Sequence, residues 1–427
     1  MLTVLGTVFA LSVIIGVPIA MGLGLAATGG ILAWGKVPLY LIPQRMFTGV
    51  DSFVLMAIPF FMLAGELMDS TGILERLLRF ADALVGHIRG GIAHVNVVAG
   101  MILSGVSGSA VADASAIGSA LLPVMRKEYS IDFGAGVVAG AAALGPIIPP
   151  SIPMIIYAAS TSGMSVAALF LSGTIPGLMI GLGMMVIIYV LARKRDYPVR
   201  TVRMTPREFW ARTKRAIPAL IMPIVVLGGI LGGAFTATEA GAVAVMYALF
   251  VGLFLTKELR LRDIPPALLK AGITTSVVFL LIATANGVSW LLTTQQVPAL
   301  ISAYLKSISP SPIVFLIVVN LFLLVVGCLM ETAAALIMLV PILAPIAASF
   351  GIHPLHFGFV VVMNLVVGLV TPPVGVVLFV VCGLADISLE RVVRAVWPHL
   401  IWQLVVLALV TYFPELTLWV PRLFGYE

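Results

Sequence analysis

Two short stretches hold the groups in this chain best suited to chemistry. In "LSGVSGSAVADAS", residues 103–115, Ser104, Ser107 and Ser109 alternate with Gly105 and Gly108 ahead of Asp113. In "LGPIIPPSIPMIIYA", residues 144–158, Pro146, Pro149, Pro150 and Pro153 fall close together. Each proline lacks a backbone donor and clashes with the preceding turn, so no regular helix passes through. The freed carbonyls lie inside a run from Phe133 to Ala192 that carries no formal charge. A carbonyl freed in an apolar setting is costly unless something binds it. Hydroxyl and carbonyl oxygens are the ligands a hard cation takes, and Na⁺ is bound in this way by unwound membrane helices. The chemistry read here is cation coordination, with oxygens of Ser104, Ser107, Gly145 and Pro149 forming one sodium site.

The same pattern occurs again further along. "GLVTPPVGV", residues 368–376, aligns with "GPIIPPSIP", residues 145–153, placing Gly368 on Gly145 and Pro372-Pro373 on Pro149-Pro150 at one constant offset. "METAAALIMLVPIL" at 330–343 parallels "ADASAIGSALLPVM" at 112–125, with Glu331 over Asp113 and Pro341 over Pro123. Gly287 falls on Gly65 in the same way. A second sodium site follows, from Gly327, Thr332, Gly368 and Thr371. Ser107, Ser109 and Ser151 from the first half, with Glu331 and Thr371 from the second, form the expected substrate pocket. Asp113 and Glu331 are acids within apolar segments, where an ionisable group is functional by default. For Asp113 the competing role is a cap at a hairpin tip beside Ser109. For Glu331 the open roles are cation attraction, proton coupling and holding its segment in place.

These groups need positioning, and the composition says by what. Of 427 residues, 61% are hydrophobic and 10% charged, with mean hydropathy +1.17. A soluble globular chain carries about 25% charged residues. The chain is therefore an all-α polytopic membrane protein. Residues 92–125 and 313–349 read as two re-entrant helical hairpins, and 132–160 and 357–382 as two discontinuous helices. Residues 1–190 form a first repeat, 191–216 a basic cytoplasmic loop and 217–427 a second repeat. Residues 1–35 are uncharged and lack the basic start of a signal peptide, so they read as retained membrane helix. Pro18 breaks that stretch, leaving two short crossings or one bent one.

Lysine and arginine near span ends mark the cytoplasmic side. The segment 192–215 is the most basic, and 75–91, 125–128, 257–270 and 385–397 agree with it. Residues 295–312 hold only Lys306, and 342–356 hold no Lys or Arg, so both face outward. The loops leading into the first half's motif are thus cytoplasmic and their counterparts are not. The repeats are inverted, and both termini face outward if residues 1–35 cross twice. Inverted repeats with helices broken at matching places mark the site of a secondary transporter.

Other features read as structure. Thr236-x-x-Glu239 is a capping box. Glu66 and Asp69 fall near a cytoplasmic span end and read as hydrated. Residues 75–88 and 257–270 mix charge with apolar positions, as amphipathic surface helices do. His353-x-x-His356 has metal-like spacing but no third ligand nearby in sequence. Cys328 and Cys382 lie in apolar runs, with no disulfide framework. The net charge of +6 is not interleaved with aromatic residues, so nucleic acid is not a partner. An intramembrane enzyme would need a nucleophile with a base or a metal cluster, and the sequence supplies neither.

Taken together, "GVPIAMGLGLAA", "IPFFMLAGELM", "SGVSGSAVADASAIGSALLPVM", "GPIIPPSIPMIIYA", "GGAFTATEAGAVAVMYAL" and "GLVTPPVGVVLFV" resemble the large membrane subunit of tripartite ATP-independent periplasmic (TRAP) transporters. The resemblance runs over nearly the whole chain and is most specific at 104–158. It implies an ion-transporter superfamily fold with a moving, elevator-type transport domain in the bacterial inner membrane. It implies sodium-driven uptake of carboxylates, such as C4-dicarboxylates or sialic acids. The implied partners are a separate small four-helix membrane subunit and a periplasmic substrate-binding protein. A stand-alone carboxylate symporter or antiporter of the same fold is the alternative. One departure from the family is Glu331, where Asp is common.

Overall fold

The computed structural model describes residues 1–161, 163–199 and 205–426, and within them every regular element is a helix. Residues 200–204, part of the basic segment read as cytoplasmic, lie outside the described residues. Among the described residues, seven helices are long and apolar enough to cross a membrane, or eight with one bent pair.

The chain opens with α1 (Leu2–Ile15) and α2 (Ile19–Trp34), packed on each other, so the stretch around Pro18 gives two helices and not one bent one. The bent pair follows, α3 (Leu41–Val50) meeting Phe53–Asp69 at 61°, the latter ending in α4 (Ala57–Asp69). Next is α5 (Ile73–Val85), amphipathic as expected, with Ile73, Leu77, Ala81 and Val85 buried.

Two hairpins and two broken helices make up the centre. The first hairpin is α6 (Gly91–Ser107) and α7 (Ala110–Glu128). Its turn is at Gly108, with φ +58°, and a Cβ there would meet Pro150 O at 3.2 Å and Ile152 N at 3.1 Å. The first broken helix is α8 (Ile131–Ala142) and α9 (Ile152–Ala159), the proline cluster filling the gap. After α10 (Val166–Ser172), α11 (Thr174–Lys194), α12 (Pro206–Leu231) and α13 (Ala237–Phe250) comes α14 (Ile264–Thr294), then α15 (Val297–Ile308). Capping boxes start both α12 (Thr205, Glu208) and α13 (Thr236, Glu239), the latter as read from sequence. The second hairpin is α16 (Pro312–Leu329) and α17 (Thr332–Ser349), and the second broken helix is α18 (Pro354–Gly368) and α19 (Val376–Ala385). The chain closes with α20 (Leu389–Tyr412) and α21 (Glu415–Leu423).

One expected element is corrected. Residues 257–270 are not a separate amphipathic helix. Their second part is the start of α14, a single helix of 31 residues. Pro265 and Pro266 sit in its first turn, where a missing N–H costs nothing, and no breaker follows them.

The helices α8 and α18 occupy equivalent central places, with every residue of 133–142 and 355–368 buried. Their continuations are exchanged. Arg126, near the end of α7, donates from Nη2 to the carbonyl of Ala385 at the end of α19, at 2.5 Å. Ser160 and Thr161, just past α9, share a pocket with Ala347 and Ala348 at the end of α17. The first broken helix therefore starts at the base of the first hairpin and ends at the base of the second. The second broken helix does the reverse. The two run in opposite senses, so the hairpins enter from opposite ends and meet at their tips, as inverted repeats require.

The tightest joint lies where α16 meets the end of α18. A Cβ on Gly368 would fall 2.5 Å from Gly327 Cα, so two backbones touch where no side chain fits. Gly375 N donates to Cys328 O at 3.0 Å, tying the second break to the same hairpin. Overpacking of a tight contact costs about 1–3 kcal/mol. Gly368→Ala is expected to lower the melting temperature of the purified chain and reduce uptake. Gly383→Ala, with nothing within 4 Å of its Cβ, is expected to leave both unchanged. Equal melting temperatures for the two variants would show that the glycine pair is not a constraint.

Candidate functional site

The first cluster of candidate residues forms around Asp113. Ser109 is extended and caps α7, its Oγ accepting from Ala112 N at 3.4 Å. This cap sets Asp113 in the first turn, where its Oδ1 accepts from the Ser107 hydroxyl across the hairpin tip. Asp113 is 1% exposed, and its Oδ2 is buried against Gly145 with no hydrogen-bond partner among the described residues. In the adjoining break, the carbonyls of Gly145 and Pro149 accept no hydrogen bond among the described residues. Ser104 is fully buried, its Oγ donating to Met101 O at 2.7 Å, which leaves its lone pairs free. Ser107 and Gly145 thus meet at Asp113, whose second carboxylate oxygen is unpaired, while Pro149 lies on the same break and the Ser104 hydroxyl is turned to its own helix. A buried carboxylate oxygen with no donor is costly unless it takes up a proton or a cation lies beside it. The donor set, all oxygen, fits a hard cation such as sodium.

The second cluster is built differently. Gly327 and Gly368 meet backbone to backbone, as described. Thr332 is 2% exposed, and its Oγ1 has no partner among the described residues. Thr371 donates from Oγ1 to Val367 O at 2.8 Å. Gly368 O accepts from Thr371 N at 3.0 Å, so this carbonyl is already engaged where that of Gly145 is not. Glu331 caps α17, its Oε2 accepting from Ala333 N at 2.8 Å and Ala334 N at 3.2 Å. Its place in the fold matches that of Ser109, the cap of α7. The equivalence with Asp113 drawn from the sequence is off by one turn, because the alignment followed the acid and not the cap.

Between the two tips lies a cavity of about 420 Å³. The first half gives it Ser107 to Ala112, Pro146, Ile152, Pro153 and Ile156, and the second Glu331, Thr332, Ala333 and Leu369. Ser107, Ser109 and Glu331 face it as expected of substrate-binding residues. Two others do not line it. Ser151 is fully buried, donates to Pro146 O at 2.6 Å and caps α9, and the Thr371 hydroxyl points back to its own helix. The opposite wall comes from α4 and α14. Glu66 and Asp69 stand there with Thr274, and Glu66 pairs with Lys270 at 2.7 Å. The sequence reading missed these three, having assigned the acids to a hydrated span end. Their spacing of three, which puts both on one helix face, was the available signal. His353 and His356 do not converge: His353 caps α18, while His356 bonds Thr417 Oγ1 at 2.9 Å and Thr411 O at 3.2 Å.

Paired hairpins and paired broken helices closing on one cavity, largely apolar with three acids in its lining, define a membrane transport scaffold. The family model for the DctM component of tripartite ATP-independent periplasmic transporters matches residues 5–416. The chain belongs to that family. It is 40% identical over 424 residues to the sialic acid TRAP transporter large permease protein SiaM of Vibrio cholerae, covering 99% of this chain and 98% of that one. It is 42% identical over 404 residues to the C4-dicarboxylate TRAP transporter large permease protein DctM of Pseudomonas aeruginosa, covering 94% of each. Among solved structures, the YdaH transporter of Alcanivorax borkumensis superposes with a TM-score of 0.62 over 89% of each chain, at 14% identity. That likeness shows the fold. The chain is a large permease subunit of a TRAP transporter and a multi-pass membrane protein.

Proposed function

We propose that this permease carries an organic anion, specifically a carboxylate, into the cell on a sodium gradient. SiaM and DctM are named for sialic acid and C4-dicarboxylates, both carboxylates, and that shared group is the basis for the substrate class. A periplasmic binding protein delivers the substrate, and a small four-helix membrane subunit accompanies the permease in the bacterial inner membrane. The observation that carries the sodium reading is the unpaired Oδ2 of Asp113 beside the free carbonyls of Gly145 and Pro149. Ser104, Ser107, Gly145 and Pro149 would hold one sodium ion, and Gly327, Thr332, Gly368 and Thr371 a second. The bound ion supplies positive charge to an acidic cavity. The protein's own part is to orient these oxygens and keep water from them.

Movement follows the elevator pattern. The cavity has one wall of hairpin tips and breaks and another from α4 and α14. Sliding the first wall against the second carries the substrate across. Both termini are placed in the periplasm, with residues 191–216 in the cytoplasm. Cysteine scanning tests this. Arg207→Cys is expected to react with an impermeant maleimide only from the cytoplasmic side, and Ser307→Cys only from the periplasmic side. Labelling of both from one side would end the inverted orientation. Loss of uptake when sodium is replaced by choline tests the sodium reading.

A further inference from the structure

At the foot of α5 and α12, away from the transport cavity, a pocket of about 680 Å³ is lined only by charged side chains. Two of its ion pairs join separate elements. Arg76 meets Glu258 at 2.6 Å, and Arg212 meets Asp82 at 2.7 Å. Those four charges cancel. Arg79 pairs only within its own helix, with Glu75 at 2.5 Å, both more than half exposed, and such pairs are worth little. Arg215 makes no ion pair among the described residues. Four guanidinium groups thus face three carboxylates, which leaves one positive charge over, with Arg215 on α12 outside any ion pair among the described residues and Arg79 on α5 held only by an exposed one. Guanidinium binds phosphate oxygens in a bidentate fashion.

The surroundings say which phosphate. Just beyond Arg215, α12 exposes Ile217, Ile221 and Ile224, spaced as one face of a helix. Trp210, one turn before, is 57% exposed, and such aromatic residues mark the membrane–water boundary. A soluble phosphate would use the arginines and leave the isoleucine stripe idle. A phospholipid uses both, with its headgroup on the arginines and an acyl chain along the stripe. Basic pockets between helix ends take anionic headgroups by this logic. We infer that Arg79 and Arg215 form a binding site for an anionic phospholipid headgroup, whose acyl chain follows Ile217, Ile221 and Ile224. The bound lipid bridges α5, which leads into the first hairpin, to α12.

The full chain in detergent, titrated with cardiolipin and followed by its melting temperature, tests this. Cardiolipin is expected to raise the melting temperature, and phosphatidylcholine is not. Each arginine near a headgroup is worth about 1 kcal/mol, so Arg79→Gln/Arg215→Gln is expected to need about thirty-fold more cardiolipin for the same rise. If the double variant does not fold, Arg215→Gln alone is expected to need about five-fold more. Equal stabilisation by phosphatidylcholine, or a variant that responds as the parent does, overturns the site. Inorganic phosphate reproducing the cardiolipin effect overturns the assignment to lipid.

Discussion

Replacing sodium by choline or potassium is expected to abolish uptake by the reconstituted transporter, with uptake rising steeply as sodium is restored. The expectation rests on the cavity's own charges. Glu66, Asp69 and Glu331 line it, no basic residue does, and the nearest ammonium, on Lys270, is held by Glu66. An organic anion entering alone would meet like charge. Two unit charges 4 Å apart interact by about 4 kcal/mol at an effective dielectric constant of about 20. That is about a thousandfold in affinity. Cations bound at the hairpin tips would remove the penalty, and substrate and sodium are then expected to bind with positive coupling, each raising the other's affinity by the same factor. Uptake measured into proteoliposomes with an imposed sodium gradient, and again with the gradient dissipated, decides it. Undiminished uptake in choline would sink the sodium reading and leave proton coupling through the acids in its place.

The second large effect is expected at Glu331. Its carboxylate does two things at once: it caps α17 through the Ala333 and Ala334 amides, and it carries charge into the cavity. Glutamine retains an oxygen that accepts from both amides and removes the charge. Glu331→Gln is therefore expected to leave the chain inserted and its melting temperature close to that of the parent, while uptake falls by at least about ten-fold. Glu331→Ala loses the cap as well, at a cost of about 0.5–2 kcal/mol in stability. Comparing the two variants separates the roles. If Glu331→Gln transports normally and only Glu331→Ala is impaired, the residue is a helix cap and nothing more.

The parts of the fold that could be read from the sequence were those governed by neighbouring residues. Single prolines at 123, 218, 223, 341 and 398 sit inside helices, but the clusters at 146–153 and 372–373 leave no turn for a helix to continue, so both breaks were visible, and glycine with serine at 104–109 marked a turn. The Thr236 and Glu239 cap is likewise a matter of three positions. The far wall of the cavity was hidden because α4 and α14 reach it from distant points in the chain. The spacing of Glu66 and Asp69 puts both on one face of α4 but does not say which element that face will meet. Ser151 was misplaced for the opposite reason. Its hydroxyl is committed locally, to Pro146 O and to the start of α9, and a serine just before an Ile-Pro helix start announces that commitment. The extent of α14 was masked by the charges at 257–270, which mimic a surface helix although nothing after Pro266 ends the helix that starts there.

The exchange of the broken helices' second halves makes the permease a swapped dimer joined into one polypeptide. Here α9 packs on α17 and α19 on α7, so each half completes the other's hairpin. A chain severed in the basic segment would yield two fragments with complementary exposed faces, neither of them a self-sufficient unit, whose association would rebuild the centre. Two halves that share one chain need not stay alike, and here they differ at matching places: a serine caps one hairpin, and a glutamate caps the other.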